Sequence, residues 1–318
     1  MFFANLKNGL NFYSVSLGKI LNILELNNLI NLFSSNNQFV KLKKWAEKYD
    51  GNLNVTGMEG SLRTILVASF YKNVQKRVLL ILEDSESAGY FYHDLDQLLG
   101  KNSNLFFFPS SYRSSKGNRL DAANEILRTE ALTAINSPDS HFIVVTYPDA
   151  LVEPVVKKAE LLKNIIHLSK GDIADLTVIE QLLLENGFSR VDFVYEPGQF
   201  SVRGSLIDVF SFSSEFPYRI DFFGDEVDSI RTFDVESQLS KEIKESLDIV
   251  PNLHETDNEE LFLDSLPDNV ILVFSNYRLI YDHLTSLLEE KQDSDELDST
   301  FPLRDKLEGF RKINLSKN

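Results

Sequence analysis

The chain has 318 residues, 43% of them apolar and 25% charged, with a formal net charge of −16. That is enough chain for two or three hydrophobic cores, and the acidic balance excludes a nucleic-acid-binding surface over much of the molecule, since phosphate contacts need clustered Lys and Arg. With no cysteine and only five scattered histidines, disulfides, thiolate metal sites and a cysteine nucleophile are excluded, and no metal site is expected.

The first residues, MFFANLKNGL, lack the basic start and sustained apolar run of a signal peptide, and no apolar run is long enough to span a bilayer. A cytoplasmic location with no membrane partner is expected. Residues 1–50 read as helical, with Leu21, Leu24, Ile30 and Phe33 on one stripe and Phe39, Leu42, Trp45 and Tyr49 on another. A short β-like run (NLNV), a glycine loop from Gly57 to Gly60 and an amphipathic helix come next. VLLILED (78–84), LFFFP (105–109) and HFIVVTYPD (141–149) read as buried strands. Helices separate them, the first stopped by Gly100, and SSYRSSKGN reads as a polar loop. Strands alternating with helices argue for a parallel sheet covered on both faces.

The pattern changes after Pro154. Asp172 is placed to cap a helix through IADLTVIEQLLLEN that Gly187 ends. From Gly187 to Asp234 the period becomes two. Val191, Phe193 and Tyr195 alternate with polar residues, Pro197-Gly198 turns, and Phe200 and Val202 resume. Tyr218, Ile220 and Phe222 alternate with Arg219, Asp221 and Phe223, and Gly224-Asp225 turns into Val227, Ile230 and Phe233. This is an antiparallel meander. Beyond Pro251 the chain is acidic, but NVILVFSN (269–276) is again a buried-strand run followed by a helix. The expected domains are therefore 1–153, an inserted 154–250, and 251–318 as the return of the first.

The glycine loop invites a phosphate-binding reading because helix N-terminal amides attract anions. A working phosphate loop, G-x-x-x-x-G-K-[ST], also needs a lysine on the terminal phosphates and a hydroxyl on magnesium. Here Asn54 stands at the first glycine, Gly60 in the lysine slot and Ser61 in the hydroxyl slot, and Glu59 would repel a triphosphate. Gly57, Gly60 and Ser61 thus form a degenerate loop that is not expected to bind nucleotide, and neither a cofactor nor catalytic residues are expected. On the meander, Arg190, Arg203, Arg219 and Asp221 fall on the polar sides of their strands. Taken alone, that face reads as a solvated sheet with cross-strand ion pairs or as a protein-docking surface. Asp208, between apolar neighbours, is expected to fix a turn or pair with an arginine.

EPGQFSVRGSLIDVF followed by PYRIDFFGDEVDSIRTFD strongly resembles the module shared by bacterial transcription-repair coupling factors and the UvrB excision-repair helicases. VTGMEGSLRTILVASF and NEILRTEALTAINSPDSHFIVVT are similar to the first domain of the same proteins. The missing phosphate-loop lysine, and the short SSYRSSKGNR where UvrB carries a Tyr-rich DNA-probing hairpin, resemble the N-terminal part of the coupling factor. The resemblance implies an α/β fold: a degenerate P-loop (RecA/helicase-like) parallel-sheet domain with an inserted α+β domain built on the meander. It further implies a non-enzymatic module for nucleotide excision repair and transcription-coupled repair that recruits the damage sensor UvrA. Arg190, Arg203, Arg219 and Asp221, with Ile207 as apolar neighbour, match the family's contact positions. Ser201 stands where UvrB has a further arginine. RNA polymerase and DNA would be engaged by domains beyond residue 318 of an ATP-dependent translocase, and a C-terminal domain would cover the docking face. The other reading is a UvrB-like nucleotide- or damaged-DNA-binding domain.

Overall fold

The computed structural model describes residues 30–48, 51–100, 103–114, 117–120, 122–137, 141–251, 259–292 and 301–316. Leu21, Leu24 and Tyr49 of the expected helical stripes lie outside them, as does part of the acidic stretch after Pro251. The chain divides into two compact units: residues 1–119, 134–153 and 261–318 form the first, and residues 120–133 and 154–260 the second.

The first unit is built on a six-stranded sheet in which every pairing is parallel. Its order is Leu53–Val55, Arg311–Leu315, Ile271–Phe274, Val78–Ile81, Ile143–Thr146, Leu105–Phe107. In Val78–Ile81, Ile143–Thr146 and Ile271–Phe274 every residue is buried, the signature of strands covered on both faces. Their unbroken apolar runs made these strands legible. Arg311–Leu315 was not read as a strand, because its Arg, Lys and Asn hide it. Lys312 is nonetheless buried, its ammonium 2.7 Å from Glu308. The helix Ser85–Leu99 starts where the Asp84 carboxylate accepts the Ser87 N–H at 2.7 Å, and it ends at Gly100, whose φ is +80°. The expected loop after Leu105–Phe107 instead contains two short paired strands, Tyr112–Ser114 and Gly117–Leu120.

The second unit carries the six-stranded meander, whose strands are β1 (Ser189–Arg190), β2 (Gln199–Arg203), β3 (Leu206–Val209), β4 (Tyr218–Phe223), β5 (Glu226–Phe233) and β6 (Ser240–Lys244). They lie in consecutive order, and every pairing from β2 to β6 is antiparallel. Two-residue turns join β2 to β3 at Gly204-Ser205 and β4 to β5 at Gly224-Asp225, each opening on a glycine with φ of +64°. A left-handed φ costs a β-carbon-free residue little, so glycine belongs there. β1 departs from the sequence reading: it is two residues long and runs parallel to β2.

One face of this sheet packs on the helix Leu176–Glu185. Phe200, Ile207, Val209, Ile220, Phe222, Val227 and Ile230 form a core with Ile179 and Leu183 of the helix. Burying each such side chain contributes roughly 1.5–3 kcal/mol, which fixes which face turns inward. The helix is capped by Asp175, whose carboxylate accepts the Thr177 N–H at 2.8 Å, and not by Asp172 as expected. Asp172 accepts the Ser169 N–H instead, at 2.7 Å, and holds the preceding turn.

Candidate docking face

The outer face of the meander follows from strand register. Across one row the partners are Ser201, Asp208, Arg219, Arg231 and Ile243, and across the next Arg203, Leu206, Asp221 and Ser229. Residues directly opposite in a ladder point to the same side, and alternate residues of one strand do too. Arg203, Arg219 and Asp221 are therefore brought together on one face, opposite the core.

Ile207 is not part of it, and the expectation of an apolar contact there is corrected. A two-residue turn pairs Arg203 with Leu206, so Ile207 falls opposite Val202 and points inward, fully buried. Its equal parity with Arg203 along the chain is reversed by the hairpin. The alternation assigned to Val191, Phe193 and Tyr195 is corrected as well. Val194 is buried, whereas Phe193 and Tyr195 are 51% and 58% exposed. That segment is a loop, pinned where the Gln199 side-chain oxygen accepts the N–H groups of Tyr195 and Glu196 at 2.9 and 3.1 Å.

At the centre of the face Asp208 is buried and joins two arginines. Its carboxylate accepts from Arg219 Nε at 2.7 Å and Nη2 at 2.9 Å, and from Arg203 Nη2. The bidentate fork suits a planar guanidinium. Arg219 also donates to the Gln238 carbonyl and side-chain oxygens, each at 3.2 Å, and lies 4.3 Å from the centre of the Phe233 ring. Hydrogen bonds to Asp208 raise its pKa above the usual arginine value, outweighing the opposing effect of burial. Gln238 holds a left-handed φ of +58°, a conformation that costs a non-glycine residue roughly 1 kcal/mol and that is offset here by its two bonds to Arg219.

Asp221 sits 2.8 Å from Arg231 and accepts from Ser229 Oγ at 3.2 Å. Sequence reading missed Arg231, although its alternation with Ile230 would have shown it. Arg190 is not brought to this face, and the expectation is corrected: it stands across from the core residue Phe200 in the β1–β2 ladder, half-exposed on the helix side and ion-paired with Glu180. Arg203 is also partly exposed, 5.2 Å from the centre of the Phe193 ring. The sequence departure at Ser201 has a structural counterpart: Ser201 is buried and donates to the Asp192 carbonyl at 2.9 Å.

Two other places gather groups of the kind that do chemistry. In the first unit Gly57, Gly60 and Ser61 lie between Leu53–Val55 and the helix Leu62–Val74, as the sequence order requires. Met58 inside this loop is fully buried, Arg63 Nε donates to the Met58 carbonyl at 3.2 Å, and Arg63 Nη1 lies 3.8 Å from Glu83. In the second unit His167 Nδ1 is 2.7 Å from Asp248 and its Nε2 is 3.1 Å from Ser169 Oγ. The connectivity is that of a hydrolase triad, but the histidine side chain is 61% exposed and the Ser169 amide is already committed to Asp172. These groups tie the paired strands Ile166–Ser169 and Ser246–Ile249 together. Among the described residues no cluster of His, Asp and Glu could hold a metal ion, and no helix is long and apolar enough to cross a membrane.

Residues 166–254, which include the whole meander, match the family described as "UvrB interaction domain". The chain is similar to the transcription-repair-coupling factor of Bacillus subtilis, with 31% identity over 62% of this chain and 17% of that protein. The Haemophilus influenzae coupling factor shares 40% identity over 29% of this chain and 8% of its own length. The likeness to coupling factors thus extends well beyond the 166–254 match. The chain is also similar to the UvrABC system protein B of Vibrio vulnificus, with 27% identity over 63% of this chain and 32% of that protein. The chain thus spans about a sixth of the B. subtilis coupling factor it matches.

Proposed function

We propose that the outer face of the meander docks UvrA, and that the chain serves as a non-catalytic adaptor bringing excision repair to stalled transcription complexes. The observation that carries this reading is the row geometry: Arg203, Arg219 and Asp221 share one face, opposite the core, within the segment that matches the UvrB interaction domain. Ile207 acts behind that face by supporting β3, and Arg190, across from the core residue Phe200, lies on the helix side of the sheet and is not part of it. In the full-length protein, RNA polymerase and DNA would be the partners of other domains, including an ATP-dependent translocase, and a C-terminal domain would mask this face until needed.

The glycine loop supports the non-catalytic part of the reading. Met58 within it is fully buried, and Arg63, at the start of the following helix, is turned toward the Met58 carbonyl and Glu83. A phosphate-loop enzyme needs a lysine and a magnesium-bound hydroxyl aimed at the phosphates. We therefore read the loop as a degenerate P-loop that binds no nucleotide.

Isothermal titration of UvrA with this chain tests the proposal. Saturable binding is expected, and Arg203→Glu, which places a second carboxylate beside Asp208, should weaken it at least ~10-fold. Absence of binding by the unmodified chain, or equal binding by the variant, would overturn it.

A further inference from the structure

The arginines that mark the docking face are largely neutralised from within. Arg203 and Arg219 share Asp208, and Arg231 is paired with Asp221. Three cations thus stand against two carboxylates, and Arg219 is only 13% exposed. Such a lattice offers little net charge to an incoming molecule, and its guanidiniums cannot leave without stranding a buried Asp208.

What the face does present is apolar. Phe223 follows Asp221 by two residues on β4, so it emerges on the same side as the ion-pair lattice while Phe222 enters the core. Phe222 is 5% exposed and Phe223 is 81% exposed. At the opposite edge, Ile243 stands directly across from Arg231 and is 82% exposed. Phe193, half-exposed, lies beside the Arg203 guanidinium. Scattered exposed apolar residues are ordinary, but here three of them border one ion-paired platform. Water-excluding aromatic anchors around well-ordered polar groups are the arrangement that carries binding energy in protein interfaces.

We propose that Phe223 and Ile243 are the anchors of the docking face, and that the arginines hold the platform on which these side chains are displayed. The occupant is a folded protein surface with apolar depressions for the two side chains and few charges of its own. Charge balance favours it over a nucleic acid, whose phosphates would find no surplus of cations here. This inference rests on the UvrA-docking reading and assigns the source of its affinity.

The test titrates UvrA with the whole chain and with Phe223→Ala, Ile243→Ala and the double variant, at about 50 and about 300 mM salt. Both side chains are solvent-exposed, so melting temperatures should match the unmodified chain and any loss belongs to the interface. Each single substitution is expected to weaken binding at least ~10-fold, and the sixfold rise in salt to weaken the unmodified chain less than ~3-fold. Binding by the unmodified chain with the double variant within ~2-fold of it would overturn this inference and leave UvrA docking standing. A steep salt dependence with no effect of the alanine variants would assign the affinity to the arginines. No binding by the unmodified chain would overturn the docking reading itself, and this inference with it.

Discussion

At the scale of single residues, the second unit shows how the same carboxylate chemistry is used in opposite ways. Asp208 is buried but held by two guanidiniums, the second of the two roles its sequence setting allowed, since an Asp between Ile207 and Val209 must be compensated by a turn or by an arginine. Glu130 faces another carboxylate instead. Its pKa is pushed up to about 7, first by burial and then by the charge of Glu215. Because the native state then holds a proton that the unfolded chain has released, the contribution is fully present below the ordinary glutamate value, about pH 4.5, and is lost as pH rises through about 7. Stability against urea should therefore fall by on the order of 2–3 kcal/mol between about pH 5 and about pH 8 from this group. Glu130→Gln, neutral throughout, should flatten that decline and be the more stable form at the upper end. A decline of unchanged slope in the variant would show that another group sets it.

At the scale of elements, the meander was legible where turn chemistry and alternation coincide, and illegible where a strand is too short to impose a period. β4 declares itself through Tyr218, Ile220 and Phe222, and both glycine turns were findable because only glycine sits easily at a φ of +64°. The stretch after Arg190 carries an alternating sequence but forms a loop: the Val191 N–H still reaches the Phe200 carbonyl of β2, whereas the Tyr195 and Glu196 amides bond the Gln199 side chain. Ile207 was misplaced for a different reason: parity counted along the chain does not survive a two-residue hairpin. The two glycines in this region also differ in a measurable way. At Gly204 an added methyl meets nothing within 4 Å, so Gly204→Ala should cost only the strain of the left-handed backbone, about 1 kcal/mol. At Gly198, with φ of +82°, a Cβ would lie 2.7 Å from the Phe212 ring, which packs edge-on against Phe188. Gly198→Ala should add overpacking to backbone strain and cost about 3 kcal/mol. Equal denaturation midpoints for the two variants would contradict this packing.

At the scale of the whole molecule, the parallel sheet was readable because three of its strands are apolar throughout, while Arg311–Leu315 escaped because its polar side chains are accommodated by Glu308 and Asn54 in ways only the folded chain reveals. The site was half-legible for a related reason. Sequence spacing put Arg203, Arg219 and Asp221 on polar strand faces, but only register shows that their charges are spent on Asp208, Arg231 and one another's neighbours. That distinction bears on the choice between the proposed protein-docking module and a damaged-DNA binder, which need different surfaces. A DNA-binding face neutralises phosphates with surplus cations, and its affinity falls steeply with salt. This chain carries a net charge of −16, and the arginines of its best-formed face are internally paired. A fluorescent duplex of about 30 base pairs, with or without a bulky lesion, should therefore show no retardation at about 50 mM salt, even at micromolar protein. Replacing Asp208 and Asp221 by Asn would raise the charge by two and release Arg203 and Arg231 from their partners. If that variant alone gains salt-sensitive DNA affinity, the internal carboxylates are what keep the face selective for protein. Retardation by the unmodified chain would instead favour the UvrB-like DNA-binding reading.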